Sequence, residues 1–381
     1  MKKSLSFLFS LLVLIAPAFS QKSYKGLPVI KATAKVADYK IGKEFTKGTW
    51  HIMPEVSPDV LQVPVHKSRE KVTFYTDRDS ISFNVKARKS YQFYVNLNDT
   101  AYALTELKGF GFDALKFNEN QTVAAYTLLY EENQDNTYLQ TLRSQYNLDA
   151  VVAGAANDTE KALSMVNWVH KQWKHNGMNE PSQPDALTIL AEAKEGQQFR
   201  CVEYGIVTTA ALNAIGLPAR TMGLKMKEVE TIEFGAGHVL LEVYLPDLKK
   251  WVMLDGQFDV MPVLNNVPLN AVELQKAIAD NYDKLEIRSL SGTSKAMYTN
   301  WVYPYLYYFD VKFDNREGVA FQRETVDGKS SLMLVPVGAK VPEVFQRKYK
   351  MDRYKHTNSI IDFYQAPSPM KGAEKVGISL K

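Results

Sequence analysis

Cys201, His238 and Asp255 are residues whose types and spacing could do covalent chemistry. Cys201 is the only cysteine among the 381 residues, and a thiolate is a strong nucleophile. An imidazole that accepts and returns a proton, and a carboxylate that orients that imidazole, would complete the groups needed for nucleophilic catalysis. The three types in this order predict acyl transfer. Cys201 would be the nucleophile, His238 the general base and acid, and Asp255 the residue that orients His238.

Each of these residues also has a simpler explanation when it is considered alone. A free cysteine is most often a small buried hydrophobic residue. His238 could be a strand histidine with its hydrogen bonds satisfied, and Asp255 could be a turn residue before Gly256. Together, the three residues are predicted at a helix start, at a strand start and at the end of the next strand. Packing alone explains this combination less well, so it favours the catalytic interpretation.

The element that must position the thiol is a helix, predicted from Cys201 to about Ala214. Its residues are apolar on most sides, which predicts a buried helix, and Gly216 provides a stop signal after it. At the N-terminus of a helix, free N–H groups and the helix dipole stabilise an anion such as a thiolate. Arg200 favours the same charge and Glu203 opposes it, so the sequence leaves their net effect open.

His238 and Asp255 must be positioned by a hairpin, predicted from "GHVLLEVYL" (237–245) and "KWVMLDG" (250–256) with a turn at "PDLKK". Opposed residues of antiparallel strands share a face of the sheet. A two-residue turn would make His238 and Asp255 direct partners, and a four-residue turn would make them diagonal neighbours. A turn of three or five residues without a bulge would place them on opposite faces.

The rest of the chain shows helical spacing in the middle and strand patterns at both ends. "NDTEKALSMVNWVHKQWKHNG" predicts a helix that Asn157 or Asp158 caps and Gly177 ends, and a second helix is predicted at 184–194. Period-two patterns between about 71 and 107 predict half-buried strands within a β-rich domain, residues 21–145. Residues 291–381 are predicted as a β-rich extension, in which packing is favoured over ligand binding for the aromatic cluster at 298–309.

From about residue 158 to 259 the chain resembles the transglutaminase-like superfamily, which consists of papain-like thiol enzymes. The resemblance rests on "EKALSMVNWVH", "RCVEYG", "TAALNAIGLPAR" and "GHVLLEVYLPDLKKWVMLD". It implies an α+β fold, with a core at 146–290 in which helices pack on an antiparallel sheet, flanked by β-rich regions. The chain is also similar to secreted Bacteroidetes-type members of that family.

The resemblance also implies roles for particular residues. Cys201, His238 and Asp255 match the family's cysteine, histidine and aspartate one by one. The family's oxyanion hole combines the backbone N–H of the cysteine with an upstream donor, for which Gln197 and Gln198 are the candidates here. Asp259 is a second-ranked alternative to Asp255 as the orienting residue.

The N-terminus "MKKSLSFLFSLLVLIAPAFSQKS" has the features of a secretory signal peptide, with a predicted cut between Ser20 and Gln21. This predicts a secreted or periplasmic protein without stable membrane insertion. Loss of Lys2 and Lys3 would lower the net charge from +4 to +2, which gives no argument for nucleic acid or an anionic membrane as a partner.

One cysteine excludes an internal disulfide framework and a Cys-rich zinc site. His170 and His175 are spaced unsuitably for a metal pair on one helix face. The acyl-transfer mechanism itself requires no cofactor or metal.

The function predicted on these grounds is acyl transfer from peptide or protein amide bonds through a thioester on Cys201. Water as acceptor would make the protein a peptidase or amidase, and an amine would make it a transglutaminase; hydrolysis is somewhat favoured. The alternative is a catalytically inactive transglutaminase-like module for binding or for cell-surface structure. The oligomeric state stays open.

Overall fold

The computed structural model describes residues 23–120, 126–131, 135–318 and 323–367. The predicted signal peptide, residues 1–20, lies outside the described residues. The chain divides into two compact units, Met1–Gly111 and Phe112–Lys381. This division falls before the boundary at 145/146 expected from the sequence, and the predicted domain limits stay a prediction.

The first unit is built of β-strands that form two sheets. The strands are β1 (Ser23–Tyr24), β2 (Leu27–Ala32), β3 (Val36–Ile41), β4 (Glu44–His51), β5 (Asp59–Pro64), β6 (Glu70–Tyr75), β7 (Ser80–Val85), β8 (Ser90–Leu97) and β9 (Ala101–Phe110). One sheet has the order β1-β2-β8-β9-β5 and the other the order β4-β3-β6-β7. The period-two prediction is confirmed, because Val72, Phe74, Phe93 and Val95 are fully buried in one core.

The second unit mixes helices and strands. Its described helices are α1 (Thr137–Gln145), α2 (Leu148–Val152), α3 (Asp158–His170), α4 (Ala186–Lys194), α5 (Cys201–Ala214), α6 (Ala271–Asp280), α7 (Lys295–Val302) and α8 (Ile360–Phe363). Its described strands are β10 (Ala219–Lys225), β11 (Gly237–Leu245), β12 (Lys250–Leu254), β13 (Met261–Leu264), β14 (Val267–Pro268), β15 (Leu285–Arg288), β16 (Tyr308–Lys312), β17 (Ser331–Leu334), β18 (Val344–Phe345), β19 (Tyr349–Lys350) and β20 (Tyr354–Thr357). The α+β prediction is confirmed.

A six-stranded sheet of order β12-β11-β10-β16-β17-β20 is the centre of this unit. Its strand pairs are antiparallel except β17 with β20, which is parallel. Leu241 and Val243 of β11 join a core that includes α3, α4 and α5. Leu240, on the other face, joins a core with α6 and α7. Strands from beyond residue 290 therefore complete the same sheet that carries β11 and β12.

Helix α5 begins at Cys201 and ends at Ala214, as the sequence predicts. Its buried side chains pack against α1, α3, α4 and the sheet, which confirms the prediction of a central buried helix. Gly216 follows with a φ of +87°, a conformation that favours glycine.

One helix prediction needs correction. Helix α3 ends at His170, and not near Gly177. The N–H groups of Lys171 and Gln172 bond to carbonyls three residues back, at 3.3 and 3.0 Å, and the N–H of Asn176 bonds to the carbonyl of Phe199 at 2.9 Å. Helix α7, within the predicted β-rich extension, was not predicted; Ser294 caps its N-terminus by accepting a hydrogen bond from the N–H of Met297.

Candidate active site

Cys201 lies at the N-terminal end of α5 and is half-buried. The charged groups beside it pair with each other. Arg200 Nη2 donates to Glu203 Oε1 at 2.7 Å, and the backbone N–H of Arg200 donates to Glu203 Oε2 at 3.0 Å. The side chain of Glu203 is 1% exposed. The opposing charges that the sequence left unresolved are therefore joined in one ion pair, which Glu180 extends.

The hairpin of β11 and β12 has the register that brings His238 and Asp255 together. Leu241 pairs with Leu254 and Leu245 with Lys250, which leaves a four-residue turn at 246–249. His238 and Asp255 are then diagonal neighbours on one face. His238 Nε2 lies 2.8 Å from Asp255 Oδ2, and the two side chains are 3% and 0% exposed. The geometric prediction from the turn length is confirmed.

Asp255 is held at both carboxylate oxygens. Oδ1 accepts a hydrogen bond from the backbone N–H of Gln257 at 3.0 Å. Oδ2, which faces His238, also accepts one from the hydroxyl of Tyr298 at 2.9 Å. A carboxylate with donors on both oxygens is fixed in orientation.

The imidazole of His238 lies between this carboxylate and the thiol. Burial lowers the pKa of His238, but the charge and hydrogen bond of Asp255, followed by those of Cys201, raise it to about 10. Because Nε2 faces Asp255, Nδ1 is the ring nitrogen left for the sulfur. The structure thus brings Cys201, His238 and Asp255 together, as the sequence predicts.

Two glycines allow α5 to approach the strands closely. A Cβ on Gly205 would lie 3.1 Å from Val239 Cγ1 and 3.3 Å from the carbonyl oxygen of Leu240. A Cβ on Gly256 would lie 3.0 Å from Thr208 Oγ1. Larger residues at either position would push the helix away from the hairpin, and therefore the thiol away from the imidazole.

Aromatic rings from α7 and the short 3₁₀ helix after it (Tyr303–Tyr305) stand beside His238. The ring of Trp301 meets the imidazole edge to face at a centroid distance of 4.8 Å, and Tyr305 lies at 6.0 Å. Burial, and then the charge of Cys201, raise the pKa of Tyr305. The sequence favoured plain packing for this cluster; its position beside the site was missed because it depends on contacts distant in sequence.

His175, for which the sequence predicts no role, also lies near the pair. Its segment is attached to the residues just before Cys201, since Asn179 Nδ2 donates to the carbonyl of Gln198 at 2.8 Å. Burial, and then the charge of His238, lower the pKa of His175. His170, in contrast, places Nδ1 3.2 Å from the carbonyl oxygen of Gly256.

The remaining predicted residues lie in different surroundings. Gln197 and Gln198 are exposed, and Gln197 Oε1 accepts a hydrogen bond from Asn179 at 3.3 Å; an oxyanion role for either stays a prediction. The alternative orienting residue, Asp259, is fully buried. Its Oδ2 accepts from Asn167 at 2.8 Å and from the N–H of Ser291 at 2.7 Å, so it joins α3 to the chain after β15.

Two kinds of feature, a metal-binding cluster and a membrane-spanning helix, are absent from the described residues. Within them, no group of three or more His, Cys, Asp or Glu side chains is arranged to hold a metal ion. No helix of the described chain has both the length and the apolar character needed to cross a membrane.

Comparison with known proteins gives a family match over the segment that contains the three residues. Residues 147–256 match the transglutaminase-like superfamily. No curated protein matches the chain.

Three similar solved structures illustrate the comparison. A candidate cysteine protease from Cytophaga hutchinsonii is 17% identical, with 40% of this chain and 48% of that one covered and a TM-score of 0.26. A TGase is 20% identical, with 31% of each chain covered and a TM-score of 0.24. Red sea bream transglutaminase is 12% identical, with 49% and 37% covered and a TM-score of 0.23. The chain spans less than half the length of each of these structures.

Proposed function

Residues 147–256 match the transglutaminase-like superfamily, and on that premise we propose that the protein is a cysteine-dependent acyl-transfer enzyme. Its substrates would be amide bonds of peptides or proteins. The observation that supports this most directly is the buried 2.8 Å contact between His238 and Asp255. Cys201 is half-buried, and its thiol lies close enough to the imidazole of His238 to raise the pKa of that ring.

The chemistry proceeds in two stages. The Cys201 thiolate attacks the amide carbonyl carbon, a C–S bond forms, and the carbonyl electron pair moves to the oxygen. The C–N bond then breaks as His238 gives its Nδ1 proton to the leaving amine, which leaves a thioester. In the second stage water or an amine loses a proton to His238 and attacks the thioester, and the sulfur leaves as thiolate.

Each side chain has a physical reason for its role. Asp255 keeps the imidazole in one orientation and stabilises its protonated form. The backbone N–H of Cys201 lies at a helix start, where donors are free to bind the developing oxyanion. Gln197 or Gln198 is the proposed second donor. This mechanism uses no cofactor or metal.

Hydrolysis is the proposed outcome in preference to amine transfer, because water is always available and transfer requires an organised acceptor site. We also propose that the mature protein is secreted or periplasmic, after cleavage between Ser20 and Gln21. The N-terminal sequence of the protein recovered from an exporting host tests this, with Gln21 expected as the first residue. Recovery of a chain that still begins at Met1 would contradict it.

The competing function is a binding or cell-surface module that has the same domain but no activity. Enclosure of Cys201 would favour that alternative, whereas the residue is only half-buried. The two functions differ in whether His238 activates the thiol.

Alkylation of Cys201 by iodoacetamide between pH 5 and 9 separates these functions. An activated thiol reacts readily at pH 6, well below the value of about 8.5 at which a free cysteine ionises. Replacement of His238 by alanine should lower that rate by about 100-fold or more. His356→Ala, which removes an exposed histidine of β20, serves as the control and should leave it unchanged. A wild-type rate that rises only near pH 8.5, and that is insensitive to His238→Ala, would support the inactive module.

A second assay determines the fate of the acyl group. A glutamine-containing peptide is incubated with a fluorescent primary amine, and the products are separated by mass. Cleaved or deamidated peptide indicates hydrolysis, whereas a peptide–amine adduct indicates transfer. Cys201→Ser is the control and should form neither product at an appreciable rate.

A further inference from the structure

The hydroxyl of Tyr298 contacts the proposed catalytic pair from outside the matched segment. Tyr298 belongs to α7, beyond residues 147–256, and is fully buried. Its Oη donates to Asp255 Oδ2 at 2.9 Å, and this oxygen is also the one that faces His238 Nε2 at 2.8 Å. One carboxylate oxygen therefore binds the phenol and the imidazole together.

This hydroxyl remains a donor throughout the working pH range. Burial, followed by the charge and hydrogen bond of Asp255, raises the pKa of Tyr298 well above its usual value. A neutral phenol donates a hydrogen bond to the carboxylate, and Asp255 Oδ2 accepts this bond in addition to its contact with the imidazole. With the Gln257 N–H on the other oxygen, the carboxylate has a single orientation, and the imidazole that bonds to it is oriented in turn.

Helix α7, which carries Tyr298, is held in place by contacts that do not involve the Tyr298 hydroxyl. Lys295 Nζ donates to the carbonyls of Tyr282 and Leu285 at 2.9 and 2.8 Å. The Tyr298 ring packs against Phe258 at a centroid distance of 5.4 Å. A phenylalanine at this position would keep the ring packing and the helix anchor, so the hydroxyl can be removed by itself.

We propose that Tyr298 is a positioning residue, which through its hydrogen bond to Asp255 holds the His238 imidazole in line with the Cys201 sulfur. This inference rests on the proposed function. It also means that the active site includes α7, and is incomplete within the matched segment alone.

Several other ionisable groups face the pair and contribute to any pH dependence. Cys201 and Tyr204 reach it from α5, His175 from the chain after α3, and Tyr305 from the 3₁₀ helix. None of these is changed by a substitution at Tyr298, so a matched pair of variants isolates the hydroxyl.

The test compares Tyr298→Phe with Tyr308→Phe in the full chain. Tyr308 is also buried, and its hydroxyl donates to the carbonyl of Lys340 at 2.8 Å, in a different core. Iodoacetamide alkylation at pH 6 should slow roughly 5-fold in Tyr298→Phe, the value of one lost hydrogen bond. Its pH profile should move upward, towards that of His238→Ala. Tyr308→Phe should match the wild-type protein.

A double variant shows whether Tyr298 acts through the imidazole. In the His238→Ala background, Tyr298→Phe should cause no further slowing, because the group that it positions is gone. Equal behaviour of the two phenylalanine variants, or a Tyr298→Phe effect that persists without His238, would overturn the positioning role. If His238→Ala itself has no effect on the wild-type rate, the proposed function fails, and the positioning role fails with it.

Discussion

Strand β11 contributes one residue to each of two buried pairs of ionisable side chains. His238 pairs with Asp255, and Glu242, four residues along the same face, pairs with Arg220. Both pairs are almost fully buried. Arg220 and Glu242 are joined by hydrogen bonds of 2.8 and 3.2 Å, and the guanidinium stacks 4.3 Å above the ring of Trp251. Further hydrogen bonds come from other segments, namely from Tyr130, Ala271, Phe363 and Tyr364.

The difference lies in what surrounds each pair. The Arg220–Glu242 pair is enclosed by fixed donors and acceptors, and arginine does not lose its proton in proteins. The His238–Asp255 pair leaves one ring nitrogen for the thiol of the half-buried Cys201, and an imidazole can both accept and donate a proton. One pair therefore supports the fold, and the other is suited to chemistry.

The largest expected effect is on the reactive pair. Asp255→Asn should lower turnover by about 10³- to 10⁴-fold, because the amide no longer stabilises the protonated imidazole or its required tautomer. The measurement is the steady-state rate in the peptide assay, corrected for the folded fraction. Asp259→Asn, at the other buried carboxylate, is the control and should retain the rate. Loss of turnover in Asp259→Asn alone would make Asp259 the orienting residue.

The next effect is on the enclosed pair. Glu242→Gln leaves the buried guanidinium without a counter-charge and should lower the free energy of unfolding by about 3–5 kcal/mol. The alkylation rate of Cys201 per folded molecule should stay at the wild-type value. Chemical denaturation measures the first quantity. Asp280→Asn, in the exposed Lys276–Asp280 pair, is the control, with an expected change of about 0.5 kcal/mol or less. Equal losses of unfolding free energy in Glu242→Gln and Asp280→Asn would show that the enclosed pair does not support the fold more than an exposed pair does.

A smaller effect concerns pH. The pKa of His238 is raised to about 10 in the folded protein from the ordinary histidine value of 6.5, so its protonation stabilises the fold fully below pH 6.5. That contribution is lost as pH rises through about 10. The free energy of unfolding should therefore fall between pH 7 and 10 more steeply in wild type than in His238→Ala. Parallel curves from urea denaturation would show that the imidazole does not bind its proton more tightly on folding.

The smallest effect is expected from Gly205→Ala. The new methyl group would press on the carbonyl of Leu240, and overpacking costs about 1–3 kcal/mol. The higher helix propensity of alanine offsets about 1 kcal/mol of this. Alkylation of Cys201 at pH 6 should slow several-fold as α5 moves away from the hairpin. Gly154→Ala, where a Cβ has open space, is the control; a faster rate in Gly205→Ala would contradict the close-approach argument.

The sequence predicted those parts of the site that depend on local pattern. The start of α5 and the two strands follow from apolar spacing, and the parity of the turn limits how His238 and Asp255 can face each other. These features require only neighbouring residues or one short hairpin, for which periodicity and turn length carry the information.

Tyr298 could not be predicted in the same way. Its contact with Asp255 spans 43 residues and depends on α7 packing over the far face of the sheet. The Ser294 cap was a local signal for that helix, but the many aromatic residues after it favoured strands. Arg220 and Glu242 were missed for the related reason that isolated charged residues in a strand pattern do not indicate their partners.

The enclosure of Arg220 has a consequence for the order of events during synthesis. Its backbone partner Phe363 lies 143 residues further along the chain, and Tyr364, which bonds to Glu242, lies 122 residues beyond that carboxylate. A ribosome therefore makes the two charges long before it makes the groups that cover them. The buried charges therefore have all these partners only after residues 363 and 364 have been made, and the native core of the second unit is completed no earlier than that.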